Sequence, residues 1–271
     1  MNKFSLENKI ALVTGGGGLL ALQHASAILK TNGNLILIDV SKSKLSKNLE
    51  ILKKKFNKKI HYFVCDITKE KKVLNLMKKL RKINLIPDIL INNAAINYNP
   101  GNIKVKKFRL ETFDIQNLTR EINVGLIGAT ICTKIFGYEM AKKKYGIILN
   151  IGSDLSFISP DQTIYKKKNL KPNFQEVKPI SYSIVKHGIV GLTKYTATYW
   201  ANQNVRCNLL APGGIYNGQP KEFLKKIKKI IPLNRMATHG EYEETIIYLI
   251  SDASSYMNGA SLIIDGGRTV L

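Results

Sequence analysis

The stretch Ile10-Ala11-Leu12-Val13-Thr14-Gly15-Gly16-Gly17-Gly18-Leu19-Leu20-Ala21 decides the fold of this 271-residue chain. Its apolar first half predicts a buried β-strand, and the residues from Leu19 onward predict a helix. The glycines between them let the backbone turn sharply and approach a pyrophosphate closely, while the helix N-terminus offers free N–H groups and a partial positive charge. This order of strand, glycines and helix indicates a dinucleotide site at Gly15, Gly18 and Leu20.

Short apolar runs alternate with longer amphipathic stretches along the rest of the chain. Strands are predicted over 9–14, 34–39, 61–66, 89–92, 146–151, 205–210 and 261–265. Helices are predicted over 19–31, 43–56, 69–83, 110–136, 181–201 and 240–251. The alternation predicts an α/β fold, with residues 1–271 forming a single Rossmann-type domain around a doubly wound parallel sheet of about seven strands. Functional residues are then expected just beyond the carboxyl ends of the strands.

The chain is strongly basic, with 42 Lys and Arg residues against 19 Asp and Glu residues and a net charge of +23. Such an excess suggests a nucleic-acid partner. The lysines, however, are scattered over nearly every polar stretch, without an aromatic-rich basic face or a recognition helix. We therefore expect no nucleic-acid partner, whereas electrostatic attraction of an anionic substrate remains open.

Other composition signals exclude several classes of protein. Cys65, Cys132 and Cys207 are odd in number and far apart, which predicts buried thiols rather than disulfides. No His, Cys, Asp or Glu cluster has metal-ligand spacing, so no metal site is expected. No run approaches 18 apolar residues, and no secretory signal precedes the first strand, so we expect a cytoplasmic protein with no membrane partner.

Two aspartates follow predicted strands in the amino-terminal half. Asp39 lies 24 positions after Gly15, close to the distance at which a carboxylate hydrogen-bonds the adenosine ribose of a dinucleotide. Because a carboxylate repels a 2′-phosphate, Asp39 favours NAD(H) over NADP(H), unless it only caps the next helix. Asp66, followed by Ile67, either reaches the adenine or caps a helix in the same way.

Tyr182 and Lys186 lie four positions apart near the start of a predicted helix, so their polar groups share one face. A tyrosine hydroxyl has an ordinary pKa of about 10, too high for ready proton exchange at neutral pH. A neighbouring ammonium that lowers this pKa by roughly two to three units would make Tyr182 a general acid and base. The spacing alone is common in helices, so the pair gains its meaning from other motifs.

An ordered set of motifs accompanies this pair. In chain order they are Thr14-Gly15, Asn92-Asn93-Ala94, Asn123, Asn150-Ile151-Gly152-Ser153, Tyr182 with Lys186, Pro212-Gly213 and Gly259-Ala260-Ser261-Leu262-Ile263-Ile264-Asp265-Gly266-Gly267. The set resembles the short-chain dehydrogenase/reductase family across almost the whole chain. Small departures are Ala21 and Ala95, which stand where that family commonly has glycine.

The resemblance implies catalytic roles for four residues. Tyr182 would exchange the proton, Lys186 would lower its pKa and hold the nicotinamide ribose, Ser153 would bind the substrate oxygen, and Asn123 would support a water that links Lys186 to solvent. Each of these positions also has a structural alternative. Ser153 could be a turn residue at the end of a strand, Asn123 a buried polar residue of a helix, and Asn92 a residue whose side chain links the ends of neighbouring strands. A non-catalytic NAD-binding regulatory or partner subunit is the alternative for the whole chain.

The resemblance also implies contacts with the cofactor and the substrate. The cofactor contacts are Thr14, Gly15, Gly18, Leu20, Asp39, Asp66, Ile67, Asn93, Ala94, Tyr182, Lys186, Pro212, Gly213 and Ile215. The substrate contacts are Ser153, Tyr165, Tyr182, Gly214 and Asn217. Family members pair into dimers or tetramers, so a homotetramer or homodimer is implied.

The 29 positions from Ser153 to Tyr182 are about twice the separation usual in that family. The extra residues, near 160–179, predict an inserted loop above the active site. A subgroup resembling flagellin modification protein A, of surface-carbohydrate pathways, has a similar insertion and a stretch similar to 212–220. The likeness implies a small-molecule, sugar-derived substrate, and leaves open whether it is phosphorylated or nucleotide-linked. The lysines at 166–168 either bind an anionic group of that substrate or lie on a solvated loop.

Overall fold

The computed structural model describes residues 2–96 and 108–271 of the chain. Seven strands form one sheet, in which every neighbouring pair is parallel. The strands are β1 (Ile10–Thr14), β2 (Asn34–Asp39), β3 (Ile60–Val64), β4 (Ile89–Asn92), β5 (Gly146–Ile151), β6 (Val205–Pro212) and β7 (Ser261–Ile264). Their order, β3-β2-β1-β4-β5-β6-β7, reverses direction beside β1, the strand that the glycines follow. The predicted doubly wound sheet is confirmed.

Helices cover both faces of the sheet. They are α1 (Leu19–Lys30), α2 (Lys42–Lys55), α3 (Glu70–Lys82), α4 (Ile115–Ile122), α5 (Gly128–Lys142), α6 (Ile180–Tyr199), α7 (Lys221–Ile227) and α8 (Glu243–Ile250). The side chains of β1 alternate between the faces, as the two-residue period of a strand requires. Ala11 and Val13 pack with α1, α2 and α8, whereas Leu12 packs with α3 and α5. The sheet is therefore buried on both sides.

The helix predicted over 110–136 differs from the structure. The chain makes a 3₁₀ turn at Leu110–Thr112 and enters α4 at Ile115, and α5 continues to Lys142. Between α4 and α5, Asn123–Ile127 forms one π-helical turn, which a pattern of period 3.6 does not show. The glycines at 125 and 128 allow neighbouring side chains to pack closely against this region, because added Cβ atoms would lie 2.5 Å from Val185 Cγ1 and 2.8 Å from Ile67 Cδ1 respectively.

The long segment between β5 and α6 is compactly folded rather than an open loop. It contains 3₁₀ turns at Gln162–Tyr165 and Pro172–Phe174. The first of these turns packs against α7, a helix that was not predicted from the sequence. The ring of Tyr165 lies 5.7 Å from that of Phe223, centroid to centroid, within an apolar cluster. The insertion and α7 thus form one structural unit at the carboxyl edge of the sheet.

The three cysteines are buried free thiols, as predicted. Among the described residues, no helix has both the length and the apolar character needed to cross a bilayer.

Candidate active site

A cavity of about 1010 Å³ lies at the carboxyl edge of the sheet, a volume suited to a dinucleotide and a small substrate. Its wall brings together every residue predicted for the site except Thr14. The lining residues from that prediction are Gly15, Gly18, Leu20, Asp39, Asp66, Ile67, Asn93, Ala94, Asn123, Ser153, Tyr165, Tyr182, Lys186, Pro212, Gly213, Gly214, Ile215 and Asn217.

The glycine turn fits a pyrophosphate. Gly15 has a φ of +66°, and a Cβ added there would lie 2.8 Å from Ala94 Cα. At the N-terminus of α1, Gly18 provides no side-chain cap, and the first turn of the helix contains no acidic residue. The N–H groups of Leu19 and Leu20, both in the cavity wall, are therefore placed to receive an anion.

Asp39 is oriented by the turn between β2 and α2. Its Oδ2 accepts a hydrogen bond from Gly17 N (3.0 Å), and its Oδ1 accepts one from Ser41 N (2.8 Å). Ser41, rather than Asp39, caps α2, so the capping alternative does not apply to Asp39. The carboxylate lies in the cavity wall at the end of β2. This is the position at which a ribose hydroxyl would meet it.

Asp66 closes the turn after β3 and also lines the cavity. Its Oδ1 accepts hydrogen bonds from Thr68 N (3.0 Å) and Thr68 Oγ1 (2.7 Å). The turn role therefore coexists with the position beside Ile67 that was predicted to face the adenine.

Thr14 does not line the cavity, in contrast to its predicted cofactor contact. It is 1% exposed, and its Oγ1 accepts hydrogen bonds from the N–H groups of Asn93 and Ala94, both at 3.0 Å. Thr14 thus links β1 to the chain after β4 and supports the site from below the cavity wall.

Asn92 has the structural role left open by the sequence, because its Nδ2 donates to Asn150 Oδ1 (2.8 Å) and to Thr133 Oγ1 (3.0 Å).

Tyr182, Ser153 and Lys186 meet at the ends of β5 and α6. The Ser153 side chain interacts with the Tyr182 hydroxyl and lowers the pKa of the phenol. Ser153 Oγ donates to Asp154 Oδ1 over 2.6 Å, and Lys186 Nζ donates to the Ile151 carbonyl over 2.8 Å. Lys186 Nζ lies 5.7 Å from the centroid of the Tyr182 ring. The group places a phenol, a hydroxyl and an ammonium around one region of the cavity.

The electrostatics of the pair differ from the expectation. Burial raises the pKa of Tyr182 to about 12, although the interaction with Ser153 opposes the rise. Burial also lowers the pKa of Lys186 to about 8. The predicted lowering of the Tyr182 pKa by Lys186 is therefore not found, because desolvation of the phenol is the largest effect. At neutral pH Tyr182 holds its proton.

Asn123 begins the π-helical turn and lies in the cavity wall. Its residue surface is exposed, so the alternative of a buried helix polar group does not apply. The wider turn places Asn123 on the same cavity as Lys186. This juxtaposition is compatible with a water between them.

Five charged residues in the wall were not found from the sequence, and Asp154, Lys178 and Arg268 are three of them. Asp154 Oδ2 accepts a hydrogen bond from Arg268 Nη1 over 2.6 Å, and these side chains are only 4% and 9% exposed. Lys178 Nζ lies 3.7 Å from the centroid of the Tyr182 ring. Asp154 follows Ser153 directly, and Lys178 lies four positions before Tyr182, so their closeness in sequence to the predicted catalytic residues could have indicated a place in the site. Nothing in the sequence around Arg268 indicated one.

The lysines at 166–168 do not line the cavity. Lys167 Nζ pairs with Glu176 Oε1 at 2.5 Å, and Lys166 and Lys168 are exposed. The solvated-loop alternative therefore describes these residues. In residues 2–96 and 108–271, no group of three His, Cys, Asp or Glu side chains is placed to hold a metal ion.

Comparisons with known proteins identify the family and the relatives of this chain. The family described as short chain dehydrogenase matches residues 9–166, and the one described as Enoyl-(Acyl carrier protein) reductase matches residues 171–269. The chain is 30% identical over 270 residues to 2-dehydro-3-deoxy-D-gluconate 5-dehydrogenase of Bacillus subtilis, covering 97% of this chain and 96% of that protein. It is 28% identical over 264 residues to post-translational flagellin modification protein A of Campylobacter coli, covering 97% and 98%.

A solved structure extends the likeness to three dimensions. A putative 2-deoxy-D-gluconate 3-dehydrogenase of Agrobacterium tumefaciens, with bound NADP, superposes with a TM-score of 0.81 at 25% identity and covers 100% of both chains. The matched family, the ordered motifs and the shared fold lead to one conclusion. This chain belongs to the short-chain dehydrogenase/reductase family, oxidoreductases that act on CH–OH groups with a nicotinamide cofactor.

Proposed function

We propose that this chain is an NAD(H)-dependent oxidoreductase that interconverts a secondary alcohol and a ketone in a sugar-derived substrate of surface-carbohydrate biosynthesis. The proposal rests on one observation. Tyr182, Ser153 and Lys186 line the same cavity as the glycine turn. It places a proton donor beside the region where a dinucleotide would end. The names of the two sequence relatives support a substrate from carbohydrate chemistry.

Tyr182 exchanges the proton in this mechanism. Because its pKa is raised to about 12, it is protonated at neutral pH and can donate to the oxygen of a ketone as that oxygen gains charge. Ser153 stabilises the same oxygen once its hydrogen turns away from Asp154. Lys186 holds positive charge behind the phenol, anchored on the Ile151 carbonyl. The nicotinamide cofactor supplies or accepts the hydride when it is bound.

Residues at both ends of the cavity would hold the cofactor. Gly15, Gly18 and Leu20 would bind the pyrophosphate, and Asp39 the adenosine ribose. Asp66 and Ile67 would adjoin the adenine. On the nicotinamide side the contacts would be Asn93, Ala94, Tyr182, Lys186, Pro212, Gly213 and Ile215.

The preference for NAD(H) is tested by Asp39→Ala. We expect this variant to shift the ratio of NAD⁺ to NADP⁺ affinity toward NADP⁺ by about tenfold or more, because it removes both the ribose acceptor and the charge that repels a 2′-phosphate. Calorimetric titration with each cofactor measures the shift. Glu50→Ala, the same charge change at an exposed position of α2, serves as the control and should leave the ratio unchanged. An unchanged ratio in Asp39→Ala would remove the basis for the NAD(H) preference.

The organisation of the molecule belongs to the proposal as well. We place residues 1–271 in a single NAD(P)-binding domain whose insertion near 160–179 covers the substrate side, and we expect a homotetramer or homodimer. Large apolar side chains on α6, such as Tyr195 and Tyr199, are more than half exposed, which supports contact with a second copy. Light scattering on the purified protein distinguishes these assemblies from a monomer.

The activity is tested directly by offering the protein NAD⁺ with a panel of sugar alcohols and sugar acids, and NADH with keto-sugars. We expect turnover, read as a change in NADH absorbance, for at least one compound with a secondary hydroxyl or a ketone. Binding of NAD⁺ without turnover of any compound would favour the alternative of a non-catalytic NAD-binding subunit. Binding of neither cofactor would remove the proposal altogether.

A further inference from the structure

Lys178 places an ammonium group directly over the proposed proton donor. Its Nζ lies 3.7 Å from the centroid of the Tyr182 ring, and both residues line the cavity. A substrate whose reacting oxygen meets the Tyr182 hydroxyl therefore has its neighbouring atoms within reach of Lys178. A cation at this point acts on the part of the substrate next to the reacting carbon.

The insertion holds Lys178 in this position. The Lys178 N–H donates to Gln162 Oε1 over 2.8 Å, and Gln162 Nε2 donates back to the Lys178 carbonyl over 3.2 Å. The 3₁₀ turn that contains Gln162 also contains Tyr165, and the ring of Tyr165 packs against Phe223 of α7. The insertion between Ser153 and Tyr182 thus holds the Lys178 ammonium at the part of the cavity where the substrate would bind.

Arg268 supplies a second cation to the same wall. It follows β7 in the 3₁₀ turn Arg268–Val270, and its Nη1 donates to Asp154. A guanidinium has five N–H donors. In the part of the chain that the structure describes, Asp154 is the side-chain partner of Arg268, and the guanidinium borders the cavity. Arg268 therefore neutralises Asp154 while retaining donors for a ligand.

The charge balance at this wall favours an anion. Burial, together with the smaller effects of the nearby cations Lys186 and Arg268, lowers the pKa of Lys178 to about 8, against the opposing charges of Asp154 and Glu121. Positive charge at Lys178 is thus disfavoured by its surroundings. An anionic group bound beside it would relieve that cost.

We propose that Lys178 and Arg268 form a subsite for an anionic group, a carboxylate or a phosphate, carried by the substrate near its reacting carbon. The inference rests on the proposed function for the identity of the reacting group, while the binding of the anion stands on the geometry of the wall. A planar guanidinium suits a carboxylate in particular, because two of its N–H groups can bind both oxygens. The net charge of +23 would also draw such a substrate toward the protein.

Equilibrium binding tests the subsite independently of turnover. D-gluconate, D-fructose 6-phosphate and the neutral D-glucitol are titrated into the protein by calorimetry, with and without saturating NAD⁺. We expect one or both anions to bind at least about tenfold more tightly than D-glucitol, as charge-assisted hydrogen bonds would provide. Which anion binds more tightly distinguishes a carboxylate subsite from a phosphate subsite.

Two variants locate the effect. Lys178→Met should weaken binding of the preferred anion about tenfold and that of D-glucitol less than about twofold. Arg268→Lys keeps a cation beside Asp154 but removes the planar fork, and should weaken D-gluconate binding about threefold or more. Lys171→Met, which makes the same charge change as Lys178→Met at an exposed position of the insertion, is the control and should bind all three compounds as the unchanged protein does. Melting curves verify that each variant is folded.

The two proposals fail separately. Absence of turnover together with anion binding that depends on Lys178 would overturn the proposed activity and leave the subsite intact. The subsite is overturned if neither anion binds at about 10 mM, if D-glucitol binds as tightly as the anions, or if Lys178→Met weakens neutral and anionic compounds equally.

Discussion

In the Tyr182→Phe variant, we expect kcat to fall by roughly a thousandfold, with the dissociation constant of NAD⁺ unchanged within about twofold. The substitution removes one oxygen atom, the hydroxyl that would exchange the proton, and keeps the ring beneath Lys178. General acid–base groups contribute about 10²- to 10⁴-fold to rate, so the loss should appear in kcat. Steady-state kinetics with the substrate identified in the panel, together with calorimetry for NAD⁺, measures both quantities.

The control for this experiment is Tyr199→Phe. Tyr199 lies on α6, as Tyr182 does, but its side chain is more than half exposed and does not border the cavity. The same loss of a hydroxyl should leave kcat within about twofold of the unchanged protein. If Tyr182→Phe retained more than about a tenth of the activity, another group would be moving the proton, and the role assigned to Tyr182 would be wrong.

The nucleotide side of the site was predictable because its signals are local. A strand, a glycine turn and a helix adjoin in sequence, so the backbone proposed to bind a pyrophosphate could be located without knowledge of distant residues. Asp39 was predicted for the same reason, since it ends the second strand. The cofactor contact of Thr14 stays a prediction, but the orientation of its side chain could not be inferred, because a residue at the end of β1 can face either the cavity or the neighbouring β4. The hydrogen bonds from Asn93 and Ala94 decide that question.

The substrate side depends on contacts between residues far apart in sequence. Arg268 and Asp154 are separated by 114 positions and form a buried ion pair, which no local pattern could predict. The π-helical turn at Asn123–Ile127 was missed because one wider turn disturbs an apolar pattern very little. The pKa of Tyr182 was expected to fall because charge attraction could be inferred from the spacing of Tyr182 and Lys186. Desolvation, the larger effect, depends on the whole surrounding structure.

The Lys186→Met variant should lose activity and gain stability. Turnover is expected to fall by at least about a hundredfold, because the ammonium behind Tyr182 is removed. Lys186 is 7% exposed, and its pKa is lowered to about 8 because burial disfavours the charged form. The substitution removes the free-energy cost of burying the charge, and this gain outweighs the loss of the hydrogen bond to the Ile151 carbonyl. We expect a net gain of about 1 to 2 kcal/mol in the free energy of unfolding, or roughly 3 to 6 °C in Tm.

The pH dependence of this gain identifies its cause. The pKa of Lys186 lies near 8 in the folded chain and at the model-peptide value of 10.5 in the unfolded chain. Below pH 8 the residue is charged in both states, so the folded protein carries the whole cost of burying the charge, and Lys186→Met should show its largest advantage. As pH rises from 8 toward 10.5, folded Lys186 loses its proton first, and the advantage should shrink. Melting curves of both proteins between pH 7 and 10 measure the trend.

Lys194→Met, which changes an exposed position of α6, is the control and should show neither the gain in stability nor its pH dependence. A gain independent of pH would mean that better packing of the methionine, rather than removal of a buried charge, stabilises the variant.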